Sequence, residues 1–419
     1  MLKSLIIKNF KSIRLAELSF GRANIFIGPN GAGKSNVLEA LGILSSALSR
    51  GLDSSIIADR GIRLSLPHIF KASFKGTRLP PHFRLEAQFE HGHYECSIRS
   101  GLSRSFLEFH SEALTDNNIK VFGRGPNGTK INKRLVDVDP TDLKQISESR
   151  SVWDVLSPFA SISKALRDEL AEFSRFAIYA PQTAVMRGLA IDSRATKPLG
   201  LSGSGLAAAF REVLHNRMAL PPIERRKYQG VLALISKPGW VDSVRVRGFD
   251  PSIVPPEVSS EGLLIYFKDK FMTERRNMLS PFDASEGTLY LAFVATLLLH
   301  KEAPRAFGLD NVDGTLNPDL VRDLTDTVVR VCSGNVIRTA GRQQSFLTSH
   351  HPSSIDSFDI FDGNHKVYTA ARNASDDGAT RFTPLLPPDG ITKASWTRLK
   401  KGKNLSQLWL EGQIPGALA

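Results

Sequence analysis

A glycine-rich stretch followed at once by a lysine and a serine is the part of this sequence best suited to chemistry. It runs "GPNGAGKS" from Gly28 to Ser35, directly after the apolar run "RANIFI" and directly before a helical pattern. Glycines let backbone amides turn toward phosphate oxygens, the lysine reaches the outer phosphates, and the serine hydroxyl is a ligand for Mg²⁺. The stretch therefore predicts a site for a nucleoside triphosphate with Mg²⁺. The predicted contacts are Gly28, Asn30, Gly31, Gly33, Lys34, Ser35 and Asn36.

A second stretch repeats part of this text without its chemistry. "GRGPNGTK", Gly123 to Lys130, contains the same Gly-Pro-Asn-Gly but lacks the Gly-Lys-Ser ending and lies between two strand-like patterns. We predict a hairpin turn there, near Asn127–Gly128.

A serine and a glycine before a later helix form a second candidate phosphate contact. Two stretches fit, "LSGSGLAAAF" from Leu201 and "ASEGTLYLAF" from Ala284. The second is favoured because Ser285 lies only 25 residues before Asp310, at the end of the next apolar strand. Ser285, Glu286 and Gly287 would then lie at a helix N-terminus, where free amides can bind a phosphate. An ordinary helix cap at Ser285 is the alternative.

Polar side chains follow three apolar strands. Asp310, Asn311 and Asp313 end or follow the strand Ala306 to Asp310, and "FLTSHHPSS" ends another strand at His350. A histidine placed there can reach a terminal phosphate or the attacking water, although a loop histidine with a structural partner is the alternative. Gln182 follows the strand-like "FAIYAP".

The alternation of these patterns predicts an α/β fold with ligand loops at strand ends. We expect three parts: an N-terminal lobe over residues 1–190 with a β-rich insert, a helical subdomain over 191–235, and a second lobe over 236–419 with a basic C-terminal tail. No heptad pattern persists, so no long coiled coil is predicted.

Composition restricts the function classes. The net charge of +12 and pI near 9.7 make anionic partners, nucleic acid first, plausible. Two cysteines cannot supply a disulfide framework or a cysteine-based zinc site. The longest apolar run, Leu289 to Leu299, is too short for a membrane span, and the basic start does not read as a signal peptide. We expect a cytoplasmic protein with no membrane partner.

The order of phosphate loop, Gln182, "SEG", acidic strand and His350 resembles the ABC-type ATPase heads of the structural-maintenance-of-chromosomes (SMC), RecF and OLD-like families. The opening "LIIKNFKSI" is similar to their first strand. The resemblance implies a P-loop NTPase fold, an ABC-ATPase-like head with an inserted β/helical region, and ATP with Mg²⁺ as its cofactors. A transporter subunit is disfavoured because Ser35 and Ser285 lie 250 residues apart.

The resemblance also implies residue roles. Ser35, Asp310 and Gln182 would contact Mg²⁺, and Ser285 to Gly287 would press onto the γ-phosphate of a second copy in a homodimer or larger homo-oligomer. Asn311 occupies the place of the water-activating glutamate. Because an amide accepts no proton at neutral pH, slow turnover is expected. Asp313 is a candidate surrogate base, or else a solvated turn carboxylate.

Within this group, the arm-less form, the "DN" at Asp310–Asn311 and the closing "LSQLWLEGQIPGAL" resemble ATPase subunits of Septu-type and retron-linked antiphage systems. That resemblance implies a separate effector, typically an HNH-type nuclease. Two other interpretations stay open, a RecF-like repair ATPase that binds DNA directly and a nucleotide-dependent scaffold without turnover. The basic run Lys393 to Lys403 is predicted either to contact DNA or a partner or to be a solvated tail before a packed helix.

Overall fold

A computed structural model describes residues 1–100, 106–139, 142–190, 198–255, 262–334, 343–400 and 402–413. The predicted boundary at residue 191 and the end of the closing stretch lie outside these ranges.

Strands and helices alternate along most of the chain. The strands β1 to β16 are Leu2–Phe10, Ile13–Ser19, Ala23–Ile27, Phe83–Phe89, Gly92–Ser100, Leu107–Asp116, Ile119–Gly125, Gly128–Ile131, Ala177–Tyr179, Val241–Arg247, Leu264–Asp269, Met278–Leu279, Ala306–Leu309, Gln344–Ser349, His365–Asn373 and Ala379–Pro384. The helices α1 to α11 are Lys34–Ala47, Ser54–Asp59, Val152–Leu156, Lys164–Phe173, Thr183–Met186, Leu206–Met218, Pro222–Leu232, Glu286–Leu299, Pro318–Cys332, Lys393–Leu399 and Leu405–Leu410.

The central sheet has the strand order β16-β15-β3-β14-β13-β9. Five of its strands run parallel from β15 to β9, while β16 is antiparallel to β15. Strands β3 and β13 are buried at every position because helices cover both faces of a parallel sheet. The carboxyl ends of β3, β14 and β13 therefore meet at one edge, where a ligand site is expected.

A second, antiparallel sheet has the order β2-β1-β4-β5-β6-β7-β8. Its hairpins include a turn at His91 between β4 and β5 and the predicted turn at Asn127–Gly128, so the repeated Gly-Pro-Asn-Gly text forms a hairpin between β7 and β8. The alternating burial of β4 reflects one face packed on the core. A third, three-stranded sheet has the order β10-β11-β12.

Two helices of the core are almost fully buried. Helix α1 is buried from Asn36 to Ala47, and α8 is buried from Thr288 to Leu299. Helix α8 is apolar on all sides because it packs in the centre of a core cluster rather than at the surface. In the described part of the chain the longest helix, α9, has 15 residues, in agreement with the predicted absence of a long coiled coil. None of the helices in that part is long and apolar enough to cross a membrane.

The described part of the C-terminal segment divides into two helices with different surroundings. Helix α11 packs on the core through Leu405, Leu408 and Trp409. The basic helix α10 has no fully buried residue. The packed helix predicted after the basic run is therefore present, and a DNA or partner contact of that run stays a prediction.

Candidate nucleotide-binding site

The phosphate loop, Gly28 to Ser35, joins β3 to α1 in the arrangement that the sequence predicts. Gly33 has φ +97° and caps α1, and Gly31 has φ +77°. A Cβ on Gly33 would lie 2.3 Å from Thr380 Oγ1, and one on Gly28 would lie 2.2 Å from the carbonyl oxygen of Ala370. The strands β15 and β16 therefore pack so closely on the loop that only glycine fits at these positions.

Asp310 is held at the end of β13 by two hydroxyl groups. Ser35 Oγ donates to Asp310 Oδ1 at 2.9 Å, and Thr348 Oγ1 donates to the same oxygen at 2.5 Å. The other carboxylate oxygen, Oδ2, has no hydrogen-bond partner among the described residues and is available to a cation. A carboxylate beside a serine hydroxyl is a donor set of hard oxygens, which suits Mg²⁺.

Thr348, on β14, is a positioning residue to which no specific role could be assigned from sequence. Its Oγ1 accepts from the backbone N of Asn311 at 2.8 Å while it donates to Asp310. It therefore fixes the turn after β13, in which Asn311 has φ +58°. Its role depends on the strand order, because β14 lies between β3 and β13 and ends beside the loops that follow both strands.

Lys34 lies over the phosphate loop. Its Nζ donates to the carbonyl oxygens of Gly28 at 2.8 Å and Pro29 at 2.9 Å. Burial lowers the pKa of Lys34 below its usual value, and the carboxylates of Asp313 and Asp310 oppose that shift. The ammonium group is thus held by neutral carbonyls, which a phosphate can replace as partners.

The residues predicted in the phosphate loop, apart from Gly28, meet Asp310, Asn311 and His350 in one cavity of about 350 Å³ at this edge of the sheet. Its lining residues are Asn30, Gly31, Gly33, Lys34, Ser35, Asn36, Arg63, Asp310, Asn311, Thr348 and His350. The volume is within the range of small-ligand sites. Its wall carries the loop glycines, the lysine and the oxygen ligands, and this set fits a nucleoside triphosphate with Mg²⁺.

Arg63 lines this cavity and was missed by the sequence analysis. Its Nε donates a hydrogen bond to the buried carboxylate of Glu39, which also accepts from Lys11 Nζ, and its Nη2 donates to Asn36 Oδ1 at 3.2 Å. Burial is the larger influence on Lys11 and lowers its pKa, while Glu39 opposes that shift. The indication of this charged cluster in the sequence is Glu39, a charged residue in the otherwise apolar stretch "VLEALGIL" of α1.

Asn311 and His350 line the cavity, whereas Asp313 lies behind His350 with a side chain only 1% exposed. Asp313 Oδ2 lies 3.0 Å from His350 Nδ1 and accepts from the backbone N of His350 at 3.2 Å. His350 Nδ1 also lies 3.1 Å from Asn311 Oδ1. The carboxylate proposed from sequence as a surrogate base thus contacts the histidine rather than the cavity.

Gln182 and the "SEG" residues are not among the residues that line the cavity. Gln182 is exposed and caps the short helix α5. Ser285 caps α8, accepting from the backbone N of Thr288 at 3.2 Å, so the helix cap considered from sequence is present. Arg187 joins the two regions by donating to the carbonyl oxygens of Pro281 at 3.0 Å and Ala284 at 2.9 Å.

Comparison with known proteins agrees with this arrangement. The chain resembles an SMC head bound to the C-terminal winged-helix domain of ScpA, with a TM-score of 0.53 and 14% identity over 93% of this chain and 99% of that one. A Pyrococcus furiosus SMC head bound to the C-terminal domain of ScpA gives a TM-score of 0.49 and 12% identity over 96% and 98% of the two chains. The first of these similarities shows that the fold resembles that of an SMC-type P-loop ATPase head.

Two protein-family models match parts of the chain. A model described as "AAA ATPase domain" matches residues 1–118. A model described as "AAA domain, putative AbiEii toxin, Type IV TA system" matches residues 142–356, just over half of the chain. The chain belongs to this AAA domain family, whose ATPase folds in general use a nucleotide and Mg²⁺.

A short segment also matches the DNA replication and repair protein RecF of Magnetococcus marinus. The match is 49% identical over 49 residues, which is 12% of this chain and 13% of RecF. The chain therefore aligns with only a small part of that relative's length.

Proposed function

We propose that this chain is an ATP-gated switch that binds ATP and Mg²⁺ in the cavity and hydrolyses ATP slowly. The observation that carries the proposal is the joint contact of Ser35 and Thr348 with one oxygen of Asp310, beside the phosphate loop. That contact leaves Asp310 Oδ2 and the serine oxygen as ligands for a cation. Bound Mg²⁺ would neutralise charge that develops on the phosphate oxygens.

The binding residues act through charge and backbone amides. Lys34 exchanges the carbonyl oxygens of Gly28 and Pro29 for phosphate oxygens, and the first turn of α1 presents its free amides. Arg63, whose side chain is 66% exposed, adds a second positive charge at the wall of the cavity. These groups supply affinity for a triphosphate without themselves accepting a proton.

Slow turnover follows from Asn311. It lies directly after Asp310, where a hydrolysing ATPase of this class has a glutamate, and an amide can orient a water molecule but cannot take its proton. A long-lived ATP state suits a protein that must hold a conformation until a signal arrives.

We propose that two copies enclose ATP between them. Ser285 and Glu286 are exposed at the start of α8 and lie outside the chain's own cavity, as expected if they serve the site of a second copy. The contacts of Arg187 tie this region to the helix that follows Gln182. Nucleotide state in one copy would thereby be communicated to the interface.

We further propose that the ATP-bound dimer controls a separate effector, a nuclease, in antiphage defence. The "DN" and closing motifs resemble those of Septu-type and retron-linked ATPase subunits, which supports this proposal. Membership in a family whose description names a toxin–antitoxin system also supports it. The similar SMC head is bound to a partner's winged-helix domain, which supports partner binding by this fold.

Replacing Asn311 by glutamate tests the switch. We expect wild-type protein to bind ATP and dimerise on gel filtration with ATP and Mg²⁺, while its single-turnover hydrolysis is slow. The Asn311→Glu change should raise the hydrolysis rate by about 10²-fold, because it restores a carboxylate general base. Asn317→Glu places the same charge at an exposed helix cap nearby and is the matched control. Brisk hydrolysis by wild-type protein, or unchanged hydrolysis in Asn311→Glu, would contradict the slow-switch proposal.

Direct nucleic-acid binding is a second candidate function, favoured by one surface. Residues 60–84 contain six arginines or lysines and no acidic residue. Part of this segment lines a cavity of about 960 Å³ that shares Asn36 and Arg63 with the nucleotide cavity. Phosphate backbones bind such surfaces with release of counterions.

Its test is the salt dependence of DNA binding by the isolated protein. The change Lys71→Ala with Arg78→Ala should reduce the slope of log affinity against log salt by about 2, because two phosphate contacts are lost. Lys237→Ala is the matched control, since Lys237 is exposed and paired with Asp323 elsewhere on the surface. If DNA is bound only when an effector is present, the RecF-like alternative is wrong and the effector proposal is supported.

A further inference from the structure

We propose that His350 is the proton acceptor for the attacking water, and that Asp313 is the positioning residue that gives His350 the correct tautomer. This inference rests on the proposed ATPase function and deepens it. It assigns the proton to a histidine and carboxylate pair in a chain where the usual glutamate position is occupied by Asn311.

The hydrogen bonds around Nδ1 determine the tautomer of His350. Two oxygen atoms lie close to Nδ1, Asp313 Oδ2 at 3.0 Å and Asn311 Oδ1 at 3.1 Å. An ionised carboxylate only accepts hydrogen bonds, so Nδ1 must carry the proton. In the neutral ring the lone pair is then on Nε2, which is free to accept a proton.

The two residues differ in exposure in the way this role requires. The Asp313 side chain is 1% exposed and is not among the residues that line the cavity, whereas the His350 side chain is 44% exposed and lines it. Nε2 has no hydrogen-bond partner in the described part of the chain. Water therefore reaches the histidine, while the carboxylate stays covered behind it.

Asp313 contacts both the main chain and the ring of His350 through a single carboxylate oxygen. Its Oδ2 also accepts from the backbone N of His350 at 3.2 Å, so one carboxylate fixes both the main chain and the ring. Gly314 N donates to the carbonyl oxygen of Asn311 at 3.2 Å and closes the turn that carries Asp313. A buried carboxylate orients a histidine whose other ring nitrogen is open, which is the arrangement by which a base activates a nucleophile.

The charged and titratable neighbours of Asp313 come from three elements. Lys34 of α1 and Tyr290 of α8 both interact with it electrostatically, and His350 follows β14. Burial raises the pKa of the Tyr290 hydroxyl, and the carboxylates of Asp313 and Asp310 raise it further. Tyr290 therefore stays neutral and does not compete with His350 for the proton.

The proposed step is the attack of a water molecule on the γ-phosphorus of ATP. His350 Nε2 accepts a proton from the water as the water oxygen forms a bond to the γ-phosphorus. The bond between that phosphorus and the oxygen bridging to the β-phosphorus breaks, and its electron pair stays on the ADP oxygen. The imidazolium, stabilised by Asp313, then releases its proton to solvent or to the product phosphate.

The first test removes the ring and supplies it again. We expect His350→Ala to bind ATP with Mg²⁺ within about threefold of wild type but to lose about 10²-fold in single-turnover rate. Free imidazole should restore part of the loss, which a purely structural role would not allow. His351→Ala is the matched control, because the neighbouring histidine caps a short turn through Nδ1. An unchanged rate in His350→Ala, or a loss that imidazole leaves untouched, would overturn the proposal.

The second test reports the tautomer directly. Nitrogen-15 chemical shifts of the His350 ring should indicate the Nδ1–H form in wild-type protein and a shift toward the Nε2–H form in Asp313→Asn, with at least a tenfold loss of rate. Should Asp313→Asn fail to fold, the wild-type spectrum and the imidazole experiment decide. An Nε2–H ring in wild type would rule out this role for His350. Failure of wild-type protein to bind ATP would instead reject the proposed function, so the two failures are distinguishable.

Discussion

The Lys34→Ala change is expected to lower the affinity for ATP with Mg²⁺ by about a hundredfold or more. Lys34 Nζ is half-buried, and its hydrogen-bond partners in the described part of the chain are two neutral carbonyls, those of Gly28 and Pro29. A bound triphosphate would replace them with charged oxygens, and truncating one member of such a desolvated charge pair costs about 2–5 kcal/mol. That cost corresponds to about 30-fold to several thousandfold in affinity. Equilibrium binding of a fluorescent ATP analogue measures the effect.

The matched control for this prediction is Lys8→Ala. Lys8 is an exposed lysine of β1 that pairs with Glu86 at 3.0 Å, far from the phosphate loop in the chain. Its removal should leave the affinity unchanged within about twofold, since exposed ion pairs contribute little. Both variants should unfold at nearly the wild-type temperature. Retention of wild-type affinity by Lys34→Ala would show that the cavity is not a triphosphate site.

Gly33→Ala is expected to destabilise the protein, although it adds only one methyl group to the phosphate loop. Its φ of +97° is strained for alanine, and the added Cβ would lie 2.3 Å from Thr380 Oγ1 and 2.6 Å from Ser12 Oγ. These two hydroxyls bond each other at 2.6 Å, and Thr380 also donates to Ala32 O at 2.9 Å. The methyl group must displace this network. We expect a loss of about 2–4 kcal/mol, from about 1 for the left-handed backbone and about 1–3 for overpacking.

Gly128→Ala separates the two contributions. Gly128 has φ +101°, close to that of Gly33, but a Cβ there would have no atom within 4 Å. It belongs to the β7–β8 hairpin, so the comparison pairs two glycines of similar backbone conformation in different surroundings. Urea unfolding should give about 1 kcal/mol for Gly128→Ala, the backbone term alone. Equal losses in both variants would mean that Thr380 and Ser12 move aside at no cost.

Part of the fold could be predicted because it depends on local patterns. Each of these patterns spans only a short segment of the chain. They are the glycine spacing of the phosphate loop, the apolar run Leu289 to Leu299 and the hairpin turn at Asn127–Gly128. Periodicity and turn chemistry act over this distance. Consequently the predicted strands β3, β13 and β14 and the predicted helices α1 and α8 are confirmed with boundaries close to those expected.

Other features depend on strand order and could not be predicted locally. Thr348 contacts Asp310 because β14 lies between β3 and β13, with Ser349 paired to Ile27 and Leu347 to Leu309. The cluster of Glu39 with Lys11 and Arg63 likewise joins α1 to residues of two loops. Nothing in local periodicity specifies which strands become neighbours.

The sequence by itself determined the phosphate loop, the α/β class and the identity of the residue after Asp310, because each is a matter of residue type and spacing. Tertiary structure alone decided the direction of the Asp313 carboxylate. The sequence places Asp313 three residues after Asp310, which is compatible with a group facing the nucleotide. The left-handed turn at Asn311 and the hydrogen bonds from His350 place it in the interior instead. Side-chain direction in such a turn is set by partners that lie far away in the chain, and here the partner is a histidine 37 residues later.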